Sequence, residues 1–429
     1  IAACATTTPP QGQGQTYPPI AGQYPNGQVP PPIQNPNKDT PKDTTQPNAT
    51  RNAGSGLTPA FMNGKNLKRV AIILPFSAKS ARLRAEAESM LHAAELALFT
   101  RDEDDVLLMT FDSAGTSNGA RIAAQTAVKQ GADIILGPIL AASVKASGDI
   151  ALRADTPMIA FSTDTSVAKP GVYLLSFPPE AEVKRVTEFV RQSGARKFAF
   201  LGPDSRYGKR VLDAYNDSVT NLGGEITGVE IYHGNDITVM QDPARRLAQF
   251  YTQTHLANEE KLANGQPVEE AAFHVVMLPE GGTALRSLAP LLPFFEENIN
   301  ASSVQFVGTG LWNRGEVVRE PALRGGIFAG PDQAEQQVFA ANYDAVFGEE
   351  PSRLASLAYD GLNIAAFAAS GDPKKRTARL TDDAGFFGAD GLVRFNTNGR
   401  PERGLAIYQI KNGRFVIIDP APKSTSGTS

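Results

Sequence analysis

A chain of 429 residues is long enough to form two hydrophobic cores, and its 41 Lys and Arg residues against 45 Asp and Glu residues give a formal charge of −4. This near-neutral balance argues against a nucleic acid partner, because a polyanion is bound through an excess of basic residues. The one cysteine excludes an internal disulfide.

That cysteine, Cys4, follows Ile1-Ala2-Ala3 at the start of the sequence. The four residues resemble the lipobox of bacterial lipoproteins, in which small residues precede a cysteine that is diacylated and becomes the mature N-terminus. The resemblance implies that residues 1–4 are the remnant of a signal peptide together with the lipidation site, Cys4. Ala5 in the next position favours the outer membrane over retention in the inner membrane. We therefore predict a periplasmic protein anchored by lipid in the outer membrane; the alternative is a chance thiol.

Residues 5–66 consist mostly of Pro, Gln, Asn, Thr and Gly, with few large aliphatic residues. Such a composition buries too little apolar surface to offset the loss of chain entropy, so it predicts a disordered tether. As a flexible coil it would span roughly 40–50 Å on average. The last residues, 421–429, are predicted to be a disordered tail.

From residue 68 short β-branched strands alternate with helical segments, which is typical of a doubly wound α/β sheet. The first series comprises strand 70–74, a helix with apolar residues between 83 and 98, strand 106–111, helix 117–130, strand 133–136, helix 141–154 and strand 157–161. The second comprises helix 180–193, strand 197–201, helix 208–222, strand 225–232, helix 243–263, strand 272–278, helix 283–298 and strand 304–307.

The remaining segments are an apolar stretch at 325–329, helices 333–347 and 352–370, and antiparallel strands at 393–395, 406–410 and 415–418. Two βα series predict two Rossmann-like lobes with a cleft between them. We expect the bilobed domain to span residues 67–420. Its first lobe would contain about 67–178 and 312–388, and its second lobe about 179–311 and 389–420.

Five segments, taken in order, resemble the type I periplasmic binding proteins, in particular the branched-chain amino-acid receptors of the leucine-binding-protein family. They are IILPFS at 72–77, GADIILGP at 131–138, PMIAFST at 157–163, YG at 207–208 and FNTNG at 395–399. The resemblance implies two lobes joined by three crossovers, a cleft for a small polar ligand, and a solute-binding role alongside an ABC permease.

Three segments also resemble the penicillin-binding-protein activator lipoproteins, whose similar domain stimulates a peptidoglycan synthase from the outer membrane. They are residues 72–77, GPIL at 137–140 and FVGTGLW at 306–312. A fold of this kind does not choose between the two functions, so transport and synthase activation both remain open.

Ligands of open α/β sheets bind beyond the carboxyl ends of the strands, where loops present hydroxyls and free N–H groups. In the first lobe this position predicts contacts from Ser77, Ser143 and the loop residues Ser162, Thr163, Asp164 and Ser166. By resemblance, the backbone near Asp164 and the hydroxyl of Ser166 hold a ligand carboxylate. The alternative is that these side chains cap helices.

In the second lobe Tyr207 matches a family tyrosine that closes over the ligand, and Trp312 lies near the predicted crossover, where packing is the alternative. The branched-chain amino-acid receptors carry an acid in the loop that here reads Gly308-Thr309-Gly310. Glu280 is the candidate substitute, with a solvated loop glutamate as the alternative. The ligand is therefore predicted to be small and polar, without a commitment to an α-amino acid.

Two patterns of catalytic motifs occur outside the context that catalysis needs. Residues 115–119 match Gly-x-Ser-x-Gly but stand apart from the preceding strand, and Ser166-Val167-Ala168-Lys169 is followed by Pro170 and Gly171, which prevent a helix. The four histidines show no metal-binding spacing. We predict that the protein is not an enzyme and needs no cofactor or metal.

Overall fold

The computed structural model describes residues 50–51, 57–234, 236–300 and 303–422. The predicted lipidation site Cys4, most of the predicted tether and residues 423–429 lie outside the described residues. The folded domain begins before the predicted residue 67, because strands β1 (Thr50–Arg51) and β2 (Leu57–Thr58) pair and Met62 is buried. Arg69 also donates a 2.6 Å hydrogen bond to the hydroxyl of Thr58.

The first lobe is built on a five-stranded parallel sheet in the order β4-β3-β5-β6-β7. The strands and the helices that connect them are β3 (Lys68–Leu74), α1 (Ala81–Phe99), β4 (Val106–Asp112), α2 (Ser117–Lys129), β5 (Ile134–Leu136), α3 (Ala141–Arg153), β6 (Met158–Ala160) and β7 (Val172–Leu174). The sequence analysis identified all of these except β7, which has only three residues.

Alternating residues of β3 bury opposite faces of this sheet, as strand geometry requires. Val70, Ile72 and Leu74 pack in one core with α1 and later helices. Ala71 and Ile73 pack in a second core with α2 and α3. The continuous apolar run in β3 therefore reflects a strand covered by helices on both sides.

The second lobe contains a seven-stranded sheet in the order β17-β16-β12-β11-β10-β8-β9, parallel except where β16 pairs with β12 and β17. Its elements are α4 (Pro179–Gln192), β8 (Lys197–Pro203), α5 (Arg206–Asn221), β9 (Glu225–Tyr232), α6 (Ile237–Ala263), β10 (Val275–Met277), α7 (Gly282–Leu288), α8 (Leu291–Phe295), β11 (Gln305–Gly308), β12 (Ile327–Gly330), β16 (Ala406–Lys411) and β17 (Arg414–Asp419).

Two helices of this lobe differ from the predicted ones. Helix α6 begins at Ile237 rather than 243, because the carboxylate of Asp236 caps it and Pro243 is tolerated in its interior. The predicted helix 283–298 is divided into α7 and α8, with Pro290 at the start of α8. Proline lacks the N–H that a continuous helix needs, which accounts for the break.

The chain then returns to the first lobe and completes it. The added elements are α9 (Gln333–Phe347), α10 (Ala355–Ala369), α11 (Arg376–Leu380), β13 (Phe386–Gly388), β14 (Gly391–Phe395) and β15 (Pro401–Arg403). Helices α9 and α10 pack in the same core as α1, and β13, β14 and β15 form a small antiparallel sheet beside them.

The second and third crossovers differ from the predicted positions. Strand β12 pairs with β11 and β16, so the chain leaves the second lobe after Gly330 and not near Trp312. Strand β14 pairs with β13 and β15 rather than with 406–410, so the third crossover follows Arg403 and not residue 388. The positions of both crossovers depend on pairing between strands that are distant in the sequence. The hydrophobic periodicity of a segment does not indicate which strand it pairs with.

Candidate functional site

A cavity of about 340 Å³ lies between the lobes, beside the first two crossovers. We call it the inter-lobe cavity. Its first-lobe wall comes from α9 and the start of α10, and its second-lobe wall comes from α4 and the loop after β11. The lining residues are Phe177, Glu182, Gly310, Asn313, Arg314, Gly330, Pro331, Gln336, Phe339, Ala340, Pro351, Ser352, Arg353 and Ser356. Its size suits a small ligand.

Glu182 is a buried carboxylate in the second-lobe wall. Only 5% of the residue is exposed, and its Oε2 accepts a 2.9 Å hydrogen bond from the backbone N–H of Gly310. A Cβ at residue 310 would lie 2.5 Å from Oε1 of Glu182, so glycine leaves the space that this carboxylate occupies. Burial raises the pKa of Glu182 to about 7, although the Gly310 N–H and the positive charge of Arg353 oppose that rise.

Tyr207 stands at the first turn of α5, next to Glu182. Its hydroxyl is 2.7 Å from the hydroxyl of Thr309, which is wholly buried. Burial, together with the negative charge of Glu182, holds the pKa of Tyr207 well above its ordinary range. Tyr207 thus stays neutral, and it does not itself line the inter-lobe cavity.

Two arginines bring positive charge to the inter-lobe cavity from opposite lobes. Arg353 precedes α10 in the first lobe, and Arg314 follows β11 in the second lobe. Among the described residues, neither guanidinium forms an ion pair or a side-chain hydrogen bond. A guanidinium offers five N–H donors that match a carboxylate or phosphate, so both can hold an anionic group.

The predicted ligand loop after β6 uses its polar groups locally. Ser162 accepts a 3.2 Å hydrogen bond from the N–H of Asp164. The carboxylate of Asp164 in turn accepts bonds from the N–H and the hydroxyl of Ser166, at 3.1 and 2.6 Å, and these bonds lower the pKa of Asp164. The structure therefore shows the capping pattern here, and none of these residues lines the inter-lobe cavity.

The same loop contacts the second lobe. Arg210 of α5 donates a 2.8 Å hydrogen bond to the carbonyl of Thr163 and two bonds, at 2.9 and 2.7 Å, to the carboxylate of Glu180. Arg206 lies 3.7 Å from Asp164. The first turns of α5 thus hold the lobes together at the loop predicted to bind ligand.

Three other predicted residues also lie outside the inter-lobe cavity. Ser77 directs its N–H and its hydroxyl to the carboxylate of Asp112. Ser143 is buried within the first turn of α3. Glu280 accepts a 2.7 Å bond from the hydroxyl of Tyr232, and burial raises the pKa of Glu280.

Trp312, a predicted ligand contact with packing as the alternative, does not line the inter-lobe cavity. Its indole is completely buried in the core of the second lobe and donates a 3.1 Å hydrogen bond to the carbonyl of Leu278. A Cβ at Gly308 or at Gly326 would collide with the ring. Because the crossover lies after β12, Trp312 is in the interior of the lobe, where packing was the alternative interpretation.

The sequence analysis missed Glu182, Arg314 and Arg353. A signal for Glu182 does exist: it lies with Val183, Val186 and Val190 on the buried side of α4, and a carboxylate in an apolar helical stripe calls for a partner or a ligand. No comparable pattern marks the two arginines, which stand in loop and helix-start positions.

The described ranges contain neither a candidate metal-ion cluster nor a candidate membrane-spanning helix. There, no group of three or more His, Cys, Asp or Glu side chains is arranged to hold a metal ion. No helix of the same part of the chain combines the length and the apolar character that crossing a bilayer requires.

Residues 68–250 match the family model described as periplasmic binding protein, whereas no curated protein matches the chain. Several solved structures are similar in fold. A putative branched-chain amino acid ABC transporter from Rhodospirillum rubrum is 16% identical to this chain, with a TM-score of 0.67. The alignment covers 82% of this chain and 100% of the transporter chain.

An ABC transporter substrate-binding protein from Sphaerobacter thermophilus has 18% identity and a TM-score of 0.59, covering 83% of this chain and 98% of its own. The substrate-binding protein LivJ from Streptococcus pneumoniae, solved with isoleucine, is 19% identical, with a TM-score of 0.51. The alignment covers 83% of this chain and 100% of LivJ. At these identities the likeness establishes a shared fold.

Proposed function

We propose that the protein is a non-catalytic extracytoplasmic receptor, because residues 68–250 match the periplasmic binding protein family model and the described chain has the two-lobed fold of type I binding proteins. Its ligand would be a small zwitterion held between the lobes. Several of the similar proteins are named as parts of ABC transporters, so an ABC permease is the partner we propose first.

One observation carries this proposal: an acid and a base from opposite lobes border the same cavity. Glu182 comes from α4 of the second lobe and Arg353 from the start of α10 in the first lobe. A ligand ammonium would favour the ionised form of Glu182, and a ligand carboxylate would satisfy the donors of Arg353. Arg314 offers a second position for the anionic group.

Apolar side chains supply the rest of the binding surface. Phe177, Phe339, Ala340 and Pro331 line the inter-lobe cavity beside the charged groups. A zwitterion with a modest apolar side chain, such as an α-amino acid or a short peptide, would match both features. Because Glu182 and Arg353 come from different lobes, such a ligand would bind the closed state more tightly than an open one and would shift the population toward it.

Thermal-shift screening and calorimetry with α-amino acids, short peptides and muropeptides would test the proposal. We expect at least one zwitterion to stabilise the protein. Its N-acetylated and its carboxyl-amidated forms should each bind at least about tenfold more weakly, since each loses one charge-assisted contact. Full binding of either blocked form, or no stabilisation by any member of the panel, would refute the site.

The second candidate is a synthase activator at the outer membrane, and features of the sequence favour it. Cys4 lies in a lipobox-like context, and residues 5–66 have the composition of a long tether. In this case the domain would regulate a peptidoglycan synthase by surface contact. Shortening the tether should then abolish activation through lost reach, whereas ligand-site variants should activate normally.

Lipid anchoring can be tested separately from either function. Cys4→Ser should release the protein into the soluble periplasmic fraction, with the melting temperature of the domain unchanged, because the predicted tether separates the anchor from the folded body. Retention of this variant in the membrane fraction would contradict the lipoprotein assignment.

A further inference from the structure

A second cavity, of about 510 Å³, lies within the first lobe. We call it the lateral cavity. Helices α1, α9 and α10 form its sides, and β13 and β14 close it. Its lining residues are Leu96, Thr100, Glu335, Val338, Phe339, Asn342, Tyr359, Asp360, Asn363, Ile364, Phe367, Phe386, Phe387, Gly388, Ala389 and Val393. It is larger than the inter-lobe cavity and shares only Phe339 with it.

Aromatic rings form much of this wall and continue to its rim. Phe339 and Tyr359 have ring centroids 5.3 Å apart, and Phe367 meets Phe386 edge-on at 5.8 Å. Val338, Phe367 and Phe387 also line the cavity, yet they are 58%, 51% and 51% exposed. Clustered exposure of large apolar side chains around a concavity is typical of a binding surface.

The lining contains two acidic residues, Glu335 and Asp360, and no Lys, Arg or His. Asp360 is buried, and its two oxygens accept bonds from the N–H groups of Ala389 and Asp390, at 2.7 and 3.2 Å. By contrast, among the described residues, the carboxylate of Glu335 has no ion pair or hydrogen bond.

Neutral polar groups of the lining are also uncommitted. Within the described part of the chain, the hydroxyl of Tyr359 and the side-chain amide of Asn342 have no hydrogen-bond partner. Together with Glu335 they provide oxygen acceptors around an aromatic chamber. An ammonium group is attracted both by carboxylate oxygens and by the faces of aromatic rings.

We propose that the lateral cavity is a second ligand site, which takes a small amphiphilic cation: a primary amine carrying an aromatic or branched apolar body. The amine binds Glu335, and the apolar body packs among Phe367, Phe386 and Ile364. The absence of any base from the lining disfavours an anion, and the volume favours a small molecule over a helix. This site is independent of the zwitterion site proposed above.

Calorimetric titration with 2-phenylethylamine, 2-phenylethanol and phenylacetate would test this proposal with probes of one shape and three charges. We expect the amine to bind at least about tenfold more tightly than the alcohol, and the anion not to bind. Equal binding of the amine and the alcohol, or tighter binding of the anion, would overturn the assignment.

Variants locate the probe. Val338→Arg places a cation at the rim and should weaken amine binding at least about tenfold, whereas Leu256→Arg on α6, at 57% exposure, is a matched control that should not. Glu335→Gln should weaken binding about three- to tenfold, and Glu88→Gln, an exposed position of α1, should leave it unchanged.

The remaining variant separates the two cavities. Glu182→Gln lies on the inter-lobe cavity alone and should leave amine binding unchanged. If Glu182→Gln abolishes binding while Val338→Arg does not, the probe occupies the inter-lobe cavity and the lateral site is refuted. Unchanged melting curves of Val338→Arg and Glu335→Gln would establish that binding, not folding, was altered in these two variants.

Discussion

The carboxylate of Glu182 and the backbone N–H of Gly310 form a 2.9 Å hydrogen bond between residues 128 positions apart in the sequence. The loop that contains Gly310 has no acid of its own, and α4 brings one to it. The second-lobe side of the inter-lobe cavity therefore presents a negative charge that the loop sequence does not encode. The chemistry proposed for the cleft depends on this pairing.

The unfolding free energy of the protein should depend on pH because of Glu182. Its pKa in the folded protein is about 7 against 4.5 for an ordinary glutamate, so between these values the folded state retains a proton that the unfolded state has lost. Unfolding free energy from this group should then fall as pH rises from about 4.5 to about 7. Glu182→Gln should be more stable than the wild type by up to about 3 kcal/mol at about pH 8.

Denaturant unfolding across this pH range would measure the effect. The difference between the wild type and Glu182→Gln should disappear below about pH 4.5, where glutamate is protonated in both states. Glu225→Gln, an exposed control at the start of β9, retains Glu182 and should follow the pH dependence of the wild type. A constant difference between Glu182→Gln and the wild type at every pH would contradict the assigned pKa.

Ligand affinity should depend on pH in the opposite direction. If a ligand ammonium binds the ionised carboxylate of Glu182, affinity should rise about tenfold per pH unit below about pH 7 and level off above it. Calorimetry at several pH values with the zwitterion identified by screening would reveal this. Glu182→Gln should bind more weakly and lose the pH dependence; a variant that keeps it would show that another group titrates.

The contact of Arg210 with the carbonyl of Thr163 joins the second lobe to the first and should hold the lobes closed, while Glu180 of the second lobe orients the guanidinium. Arg210→Ala removes all three hydrogen bonds of its guanidinium to these residues and should favour a more open form, with a larger radius of gyration in small-angle X-ray scattering without ligand. Lys209→Ala, at the adjacent exposed position, serves as the control. Identical scattering from Arg210→Ala and the wild type would indicate that this contact does not restrain the lobes.

Trp312 should matter for stability and not for binding. Trp312→Phe leaves a gap in the second-lobe core and removes the 3.1 Å bond to the carbonyl of Leu278, so it should cost about 1–3 kcal/mol of unfolding free energy. Calorimetry should give the wild-type affinity for the ligand. A loss of affinity without a loss of stability would indicate that Trp312 contributes to ligand binding.

The hydroxyls of Ser162 and Ser166 provide the direct comparison between a ligand loop and a capped turn. Because they bond to the N–H and the carboxylate of Asp164, the double alanine variant should lose about 1–2 kcal/mol of stability and less than about threefold in ligand affinity. A fall in affinity of tenfold or more would instead support the loop as part of the ligand site.

The sequence determined the order of the elements and their buried faces. Runs such as residues 70–74 and the apolar stripe of α1 are local patterns, and burial acts on them directly through the periods of strand and helix. The alternation of strands and helices then restricted the architecture to two doubly wound lobes. The family segments at 72–77 and 131–138 fall at β3 and β5, as the resemblance implied.

Only the tertiary structure decided where the chain crosses between lobes and which side chains face the cleft. The position of β12 depends on its pairing with β11 and with β16. Because β16 lies about 80 residues further along the chain, the hydrophobic pattern of β12 does not predict this pairing. Glu182 and Arg353 are separated by most of one lobe in sequence and approach each other only when both lobes are assembled. The hydrophobic pattern of each segment predicts which of its residues are buried. Which charged residues come together depends on how the segments pack.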